Sequence, residues 1–295
     1  MPAPPPRPRS AAKPRLGNHV SIAGGVERAA DRAHELGCEA LQIFSASPRQ
    51  WRGVEVAAAN CRLFAQRRRA WGLRPLVIHD NYLINLAGAN PALHAMSSEA
   101  FRGELRRAVA LGADYLVMHP GSAGGGGHAE AIARLAESIR ACARRLNWGK
   151  LRLLIENTAG GNARLGGAFA EVAAIIKALR GLPVGACIDT CHCFASGHDL
   201  RTAEGYEAMI AELDATIGLR RVRVIHANDS KGGLGSHLDR HQNIGQGQIG
   251  DEPFHRLLHD PRLAHAAFIL ETPIDHPGDD RRNLDRLKAL RADAE

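Results

Sequence analysis

Long apolar runs are missing from this sequence. Hydrophobic residues make up 45% of its 295 residues, a normal share for a globular protein. No stretch approaches the ~18–20 consecutive apolar residues that a membrane-spanning helix needs. The N-terminal region also lacks the pattern of a secretory signal peptide. We therefore expect a protein without a membrane segment that is located in the cytoplasm.

Cysteine is scarce as well, with six in the whole chain. Six cysteines do not form a convincing disulfide framework in a chain of this length, and their number fits a reducing compartment. Three of them, Cys187, Cys191 and Cys193, lie within or beside one short apolar run. We expect these three to be small buried packing residues.

Residues 1–15 consist mostly of Pro, Ala, Arg and Lys. Such a segment cannot bury apolar surface, so we expect it to be a disordered basic tail. The rest of the sequence contains no linker-like stretch, and residues 16–295 are predicted to form one domain. The formal net charge of +7 favours a polyanionic partner.

Eight short apolar runs alternate with helical patterns along the chain. They lie at residues 16–20, 40–44, 75–78, 114–118, 151–155, 184–188, 221–225 and 267–270. Glycines stand where four of the intervening helices should end, as they do in C-terminal helix caps. These glycines are Gly37, Gly72, Gly112 and Gly181. Eightfold strand–helix alternation predicts an α/β fold, the (β/α)8 or TIM barrel.

Residues of metal-ligand type follow the last six of these runs. Because the carboxyl ends of barrel strands share one face, their side chains are expected to converge on a single mouth. They are His79, His119, Glu156, Asp189, His192, His226, Asp239, His241 and Glu271. Two of them belong to the longest insertion, residues 228–250. Helix caps and surface histidines would explain two or three such positions, but hardly all nine.

The set contains five imidazoles and four carboxylates, with no required thiolate. That mixture suits zinc, and manganese or iron less well. Four carboxylates carry −4 and three divalent ions would add +6, so the sum is +2, or +1 with a bridging hydroxide. Three ions need about this supply of ligands when one carboxylate bridges. We therefore expect three zinc ions per chain. Because zinc lowers the pKa of bound water to about 7, we also expect phosphoester hydrolysis by a metal-activated hydroxide.

Short motifs carry these residues in a fixed order. They are GNHVS (17–21), AGG (23–25), RQWR (49–52), HDNYLIN (79–85), MHPG (118–121), IENTAG (155–160), CIDTCH (187–192), HAND (226–229), DRH (239–241) with NIGQG (243–247), and LET (270–272). Together they resemble endonuclease IV, the family of zinc-dependent apurinic/apyrimidinic (AP) endonucleases of base-excision DNA repair. The resemblance covers about residues 16–275, and the ordered set is highly specific.

The resemblance implies how the ligands are shared among three zinc ions. The first ion would be bound by His79 and His119, with Glu156 bridging it to the second. The second would be completed by Asp189, His226 and Glu271. The third would be bound by His192, Asp239 and His241. Glu156 and Glu271 would act as the catalytic carboxylates.

The resemblance also implies contacts with DNA. Tyr82 and Leu83 would form a wedge in the minor groove at the lesion, and Arg49 would fill the gap left by an extruded nucleotide. The alternatives are a buried core turn for Tyr82 and an ordinary exposed arginine for Arg49. Duplex DNA with abasic sites or blocked 3′ ends is the implied partner, so the protein would be nucleoid-associated when bound. No obligate protein partner is implied.

The implied reaction is hydrolysis 5′ to an abasic site, which leaves a 3′-hydroxyl and a 5′-deoxyribose phosphate, together with removal of blocked 3′ ends. The rival hypothesis is a metal-dependent sugar isomerase or epimerase on the same barrel. Such an enzyme would not need nine ligands, a third site, a DNA wedge or a net charge of +7. A non-catalytic DNA-binding scaffold is a third possibility, and the intact ligand set argues against it.

Overall fold

The structure is a computed structural model that describes residues 13–161 and 163–292. Its main feature is a barrel of parallel strands: β1 (Arg15–His19), β2 (Ala40–Phe44), β3 (Leu76–His79), β4 (Tyr115–Met118), β5 (Arg152–Glu156), β6 (Val184–Asp189), β7 (Val222–His226) and β10 (Ala267–Leu270). These strands close in the order β1-β10-β7-β6-β5-β4-β3-β2, which confirms the predicted TIM barrel. A separate antiparallel hairpin joins β8 (Asp229–Ser230) to β9 (His241–Gln242).

Helices surround this barrel. They are α1 (Val26–Glu35), α2 (Ala58–Ala70), α3 (Pro91–Ala110), α4 (His128–Cys142), α5 (Phe169–Ala178), α6 (Thr190–Ser196), α7 (Ala203–Thr216), α8 (Asp251–His259) and α9 (Asp279–Ala292), with a 3-10 turn at Leu219–Arg221. Across the described ranges, no helix combines the length and apolar character that a bilayer crossing requires.

The predicted C-terminal caps are confirmed at Gly37, Gly72 and Gly112, each of which directly follows the capping residue of its helix, whereas Gly181 lies two residues beyond Leu179, the capping residue of α5. Gly37, Gly72, Gly112 and Gly181 have φ values between 63° and 94°, a region that residues with a Cβ rarely adopt. After α1, for example, the amide of Gly37 donates to His34 O and the next amide, Cys38 N, donates to Ala33 O, both at 2.8 Å. Each helix therefore stops in time for the chain to turn into the next strand.

A small apolar cluster fills the inside of the barrel. Side chains from alternate strand positions form it, as the two-residue period of a strand requires. Its buried members are Ala40, Val77, Val117, Leu154, Cys187, Val224, Ala267 and Ile269. This layer closes the barrel beneath the carboxyl ends of the strands, so polar side chains above it open only to the mouth.

Residues 1–12 of the predicted tail (residues 1–15) lie outside the described residues. Arg15, predicted as the last residue of the tail, is the first residue of β1. All six cysteines are free thiols. Cys187, Cys191 and Cys193 are fully buried, as predicted for packing residues.

Candidate metal centre

All nine predicted ligands lie at the mouth of the barrel, but several are closer to the strands than the sequence suggested. Four of them are the last residue of a strand: His79, Glu156, Asp189 and His226. His119 and Glu271 follow their strands directly, and His192 lies in the first turn of α6. Strand hydrogen bonds thus fix most of these backbones, which leaves little freedom to the ligand atoms.

Glu156 lies at the centre of the cluster and is fully buried. Its Oε2 lies 3.1 Å from His79 Nε2 and 3.2 Å from His119 Nε2. Its Oε1 lies 2.9 Å from His226 Nδ1. The two carboxylate oxygens therefore face different histidines, which is the arrangement that a bridging ligand needs.

A second group surrounds the other side of Glu156. The ligand atoms of Glu156, Asp189, His226 and Glu271 all lie within 4.8 Å of one another. His226 Nδ1 is 3.2 Å from Glu271 Oε2. Three carboxylates and one imidazole at this spacing carry a strong negative charge, and a divalent cation would offset it.

A third group lies beside the second. His192 Nε2 and His241 Nε2 lie 3.3 and 3.4 Å from Asp239 Oδ1, and His241 Nε2 is 3.6 Å from Asp189 Oδ2. Among the described residues, His241 Nε2 is a buried nitrogen without a hydrogen-bond partner. A buried polar atom without a partner is costly. Its position between two carboxylates fits a metal ligand.

Backbone carbonyl groups orient three of the histidines. The contacts are His79 Nδ1 to Asp80 O at 3.0 Å, His192 Nδ1 to Asn157 O at 2.9 Å, and His241 Nδ1 to Glu271 O at 3.1 Å. A carbonyl oxygen only accepts, so each Nδ1 must carry the proton. Each Nε2 is left free to face the carboxylates, as an imidazole ligand requires.

The histidines and carboxylates of the cluster shift one another's pKa values. Burial lowers the pKa of His79, but the hydrogen bond and charge of Glu156 outweigh it and raise that pKa to about 10. Burial is likewise outweighed at His192, where Asp189 and Asp239 raise the pKa to about 10. Burial raises the pKa of Glu156, yet His226 and His119 hold it well below its usual range. The Glu156 carboxylate is therefore ionised at neutral pH, and its negative charge attracts cations.

Two cysteines also lie close to these groups. Cys187 Sγ lies near Glu156 and His226, and Cys191 Sγ lies near Asp189 and His241, in each case within 4.8 Å. Burial raises the pKa of the Cys191 thiol to about 12, so it is protonated at neutral pH. The nine predicted imidazole and carboxylate groups nevertheless form three ligand groups without either thiol.

Asn157 and Asn228 hold Asp189 from both sides, and sequence reasoning missed both. Asn157 Oδ1 accepts from the amide of Asp189 at 2.7 Å, and Asn228 Nδ2 donates to Asp189 Oδ2 at 2.6 Å. Their positions next to predicted ligands in the IENTAG and HAND motifs could have indicated this role.

Gln42 and His19 were also missed. Gln42 is fully buried in β2, and its amide contacts Glu271, His226 and His19. The available signal was a single polar residue inside the apolar run Ala-Leu-Gln-Ile-Phe at 40–44. His19, the last residue of β1, stands in the GNHVS motif.

Asp229 organises the insertion that brings Asp239 and His241 to the mouth. Its buried carboxylate accepts from one backbone amide in β8 and from four in the segment that follows β9. The donors are the amides of Ser230, Gly245, Gly247, Ile249 and Gly250, at 2.7 to 3.3 Å. At Gly247 an added Cβ would lie 2.5 Å from Ser230 O, so this close approach requires glycine.

The predicted DNA-binding residues lie at the rim of the same mouth. Tyr82 is 61% exposed, and its ring centroid is 5.2 Å from that of Phe44 and 6.2 Å from that of His79. This exposure argues against the alternative of a buried core turn. Arg49 is exposed and Leu83 is half-buried.

Comparisons with known proteins agree with this architecture. The family model "Xylose isomerase-like TIM barrel" matches residues 30–292. A probable endonuclease 4 from Solibacter usitatus is 49% identical over 279 residues, 94% of this chain and 96% of that protein. The crystal structure of endonuclease IV from Thermus thermophilus matches with a TM-score of 0.85 and 40% identity, covering 95% of this chain and 100% of that one.

A D-tagatose 3-epimerase-like protein also matches, with a TM-score of 0.71 over 94% of this chain and 96% of its own. At 18% identity, this likeness shows a shared fold alone. The identity with the endonucleases, by contrast, extends over nearly the whole chain. The chain belongs to the endonuclease IV family of the xylose isomerase-like TIM barrels, as its motifs predicted.

Proposed function

We propose that the protein is a DNA repair nuclease that hydrolyses the phosphodiester bond 5′ to an abasic site in duplex DNA. The products would be a 3′-hydroxyl and a 5′-deoxyribose phosphate, and the same centre would remove blocked 3′ ends. One observation carries the proposal: three adjoining ligand groups, two of which share Glu156, lie at one barrel mouth in a member of the endonuclease IV family.

The residues fit three zinc ions. The first would be held by His79, His119 and Glu156, the second by Glu156, Asp189, His226 and Glu271, and the third by His192, Asp239 and His241. The partnerless His241 Nε2 and the mixture of imidazole and carboxylate support this assignment. When bound, such ions supply positive charge next to a phosphate and activate water at neutral pH.

The protein's own side chains would prepare the centre for the phosphate. Asn157 accepts from the backbone amide of Asp189, while the Asn228 side chain and the His192 backbone amide donate to its two carboxylate oxygens, so these oxygens keep their places between the second and third groups. The apolar layer below the mouth excludes water from the underside. Positioning of this kind lowers the reorganisation needed in the transition state.

The rim would supply lesion recognition. Exposed Tyr82 and its neighbour Leu83 would insert into the minor groove, and Arg49 would occupy the space left by the extruded sugar. The net charge of +7 would strengthen contacts to phosphates regardless of sequence. A sugar isomerase has no use for this exposed aromatic residue or for the third ligand group, which disfavours that alternative.

The direct test combines metal analysis with a cleavage assay. We expect close to three zinc ions per chain and a single cut 5′ to one abasic site in a defined duplex. An otherwise identical undamaged duplex and a ketose sugar serve as control substrates. Equal cleavage of both duplexes, isomerisation of the sugar, or full activity after complete removal of metal would refute the proposal.

A further inference from the structure

The buried side-chain amide of Gln42 contacts two of the proposed ligands, Glu271 and His226. Its Nε2 lies 2.5 Å from Glu271 Oε1 and 3.0 Å from His19 Nδ1. Its Oε1 lies 2.8 Å from His226 Nε2. This one amide therefore connects three side chains that belong to, or directly follow, three other strands.

The chemistry of these partners fixes the orientation of the amide. An ionised carboxylate only accepts hydrogen bonds, so the NH2 group of Gln42 must face Glu271. The amide oxygen then faces His226 and can only accept. His226 Nε2 must therefore carry a proton, and Nδ1 is the nitrogen left for a metal. That Nδ1 faces Glu156 Oε1 at 2.9 Å and Glu271 Oε2 at 3.2 Å.

His226 therefore turns the opposite ring nitrogen, Nδ1, to the centre from the one that three other histidines present. His79, His192 and His241 donate Nδ1–H to backbone carbonyls and turn Nε2 to the centre. A backbone acceptor is present whatever the side chains are. At His226 the acceptor is a side chain, so this ligand depends on the residue at position 42.

We propose that Gln42 is a positioning residue that holds His226 with its proton on Nε2 and simultaneously orients Glu271, so that both ligands face one metal ion. This inference rests on the proposed metal roles of His226 and Glu271. Groups that orient metal ligands typically change metal affinity 10–100-fold when they are replaced. We therefore expect about this loss at one of the ions when the amide is removed.

Two variants distinguish the contact of Gln42 with His226 from its contact with Glu271. Gln42→Met keeps the size of the side chain but neither accepts from His226 nor donates to Glu271. Gln42→Glu keeps an oxygen facing His226. The matched control is Gln66→Met, because Gln66 is exposed on α2 and belongs to none of the ligand groups.

The experiment uses the full-length, zinc-loaded protein with 15N-labelled histidine. NMR identifies the metal-bound nitrogen of His226 and the resonance of its remaining imidazole N–H, assigned from a His226→Asn sample, and chelator competition measures zinc affinity. We expect Nδ1 coordination in the wild type. Gln42→Met should shift the N–H resonance and weaken one zinc about 10–100-fold. Gln42→Glu should retain a hydrogen-bonded N–H, and Gln66→Met should change neither quantity.

Coordination of His226 through Nε2 would overturn the inference. So would an unchanged N–H resonance and unchanged zinc affinity in Gln42→Met. If Gln42→Met does not fold, loss of the hydrogen-bonded N–H in Gln42→Glu would equally refute it. These results differ from failure of the proposed function, in which the wild-type protein itself would bind no zinc.

Discussion

Replacing Glu156 by glutamine tests whether one carboxylate connects two metal ions. The carboxylate Oε2 lies 3.1 and 3.2 Å from two histidines, and Oε1 lies 2.9 Å from a third. An amide offers only one oxygen ligand, so the Glu156→Gln side chain could serve one ion but not both. The substitution also removes a buried negative charge from the four carboxylates that would balance the ions.

The expected magnitude follows from that burial. Removing one partner of a buried charged pair costs about 3–5 kcal/mol, and about 1.4 kcal/mol corresponds to a factor of ten. We therefore expect Glu156→Gln to weaken zinc binding by roughly two to three and a half powers of ten, with both ions affected. His79→Ala or His119→Ala should affect one ion only, because each contacts a single oxygen of Glu156.

Elemental analysis of folded protein, chelator competition and cleavage of an abasic duplex would measure these effects. Circular dichroism of each variant controls for unfolding. Full zinc content together with an unchanged rate in Glu156→Gln would exclude a bridging role for this carboxylate. Loss of as many ions from His79→Ala as from Glu156→Gln would exclude it as well.

Three further predictions concern other parts of the centre. His192→Ala or Asp239→Ala should empty one zinc while two remain, and loss of all three ions in elemental analysis of folded protein would reject a separate third site. In metal-free protein, burial is outweighed by the neighbouring carboxylates, which raise the pKa of His79 and His192 to about 10, so both imidazoles are positively charged at pH 7. Zinc must therefore displace one proton from each. Zinc affinity should thus rise with pH up to about 10, and calorimetry in two buffers should detect proton release; pH-independent binding would contradict this. Tyr82→Ala should reduce the preference for abasic over intact duplex roughly tenfold, with zinc content and salt dependence unchanged, since stacking contributes about 1–3 kcal/mol per base. Equal loss of affinity for both duplexes in paired titrations would exclude the wedge.

The barrel and the location of its centre could be predicted from the sequence because both follow from simple periodicity. Short apolar runs separated by helical patterns specify parallel strands, and parallel strands in a barrel point their carboxyl ends the same way. The predicted strand at 75–78 is shifted by one residue relative to Leu76–His79, so that His79 ends the strand instead of following it. Such an offset does not alter which side chains meet at the mouth.

The connections between the ligands could not be predicted in this way. Gln42 reaches Glu271 across 229 positions of sequence, and only the closure of the barrel makes them neighbours. The same holds for Asn228 and Asp189, which meet because β6 and β7 are paired. A residue that orients a ligand has no spacing rule of its own, since its place depends on strand register and rotamer.

The distribution of exposure within the centre indicates where a substrate phosphate would approach. Glu156, Asp189 and His226 are fully buried, whereas the side chains of His119 and Asp239 are 32% and 43% exposed. Each of these three buried ligands ends a strand, and amide groups hold Asp189 and His226 while histidines surround Glu156, so the three would fix the ions. The exposed pair lies on the open side of the first and third groups. A phosphate entering between them would meet charge from both groups while the buried ligands stay in place, which is the preorganisation that hydrolysis of a stable phosphodiester requires.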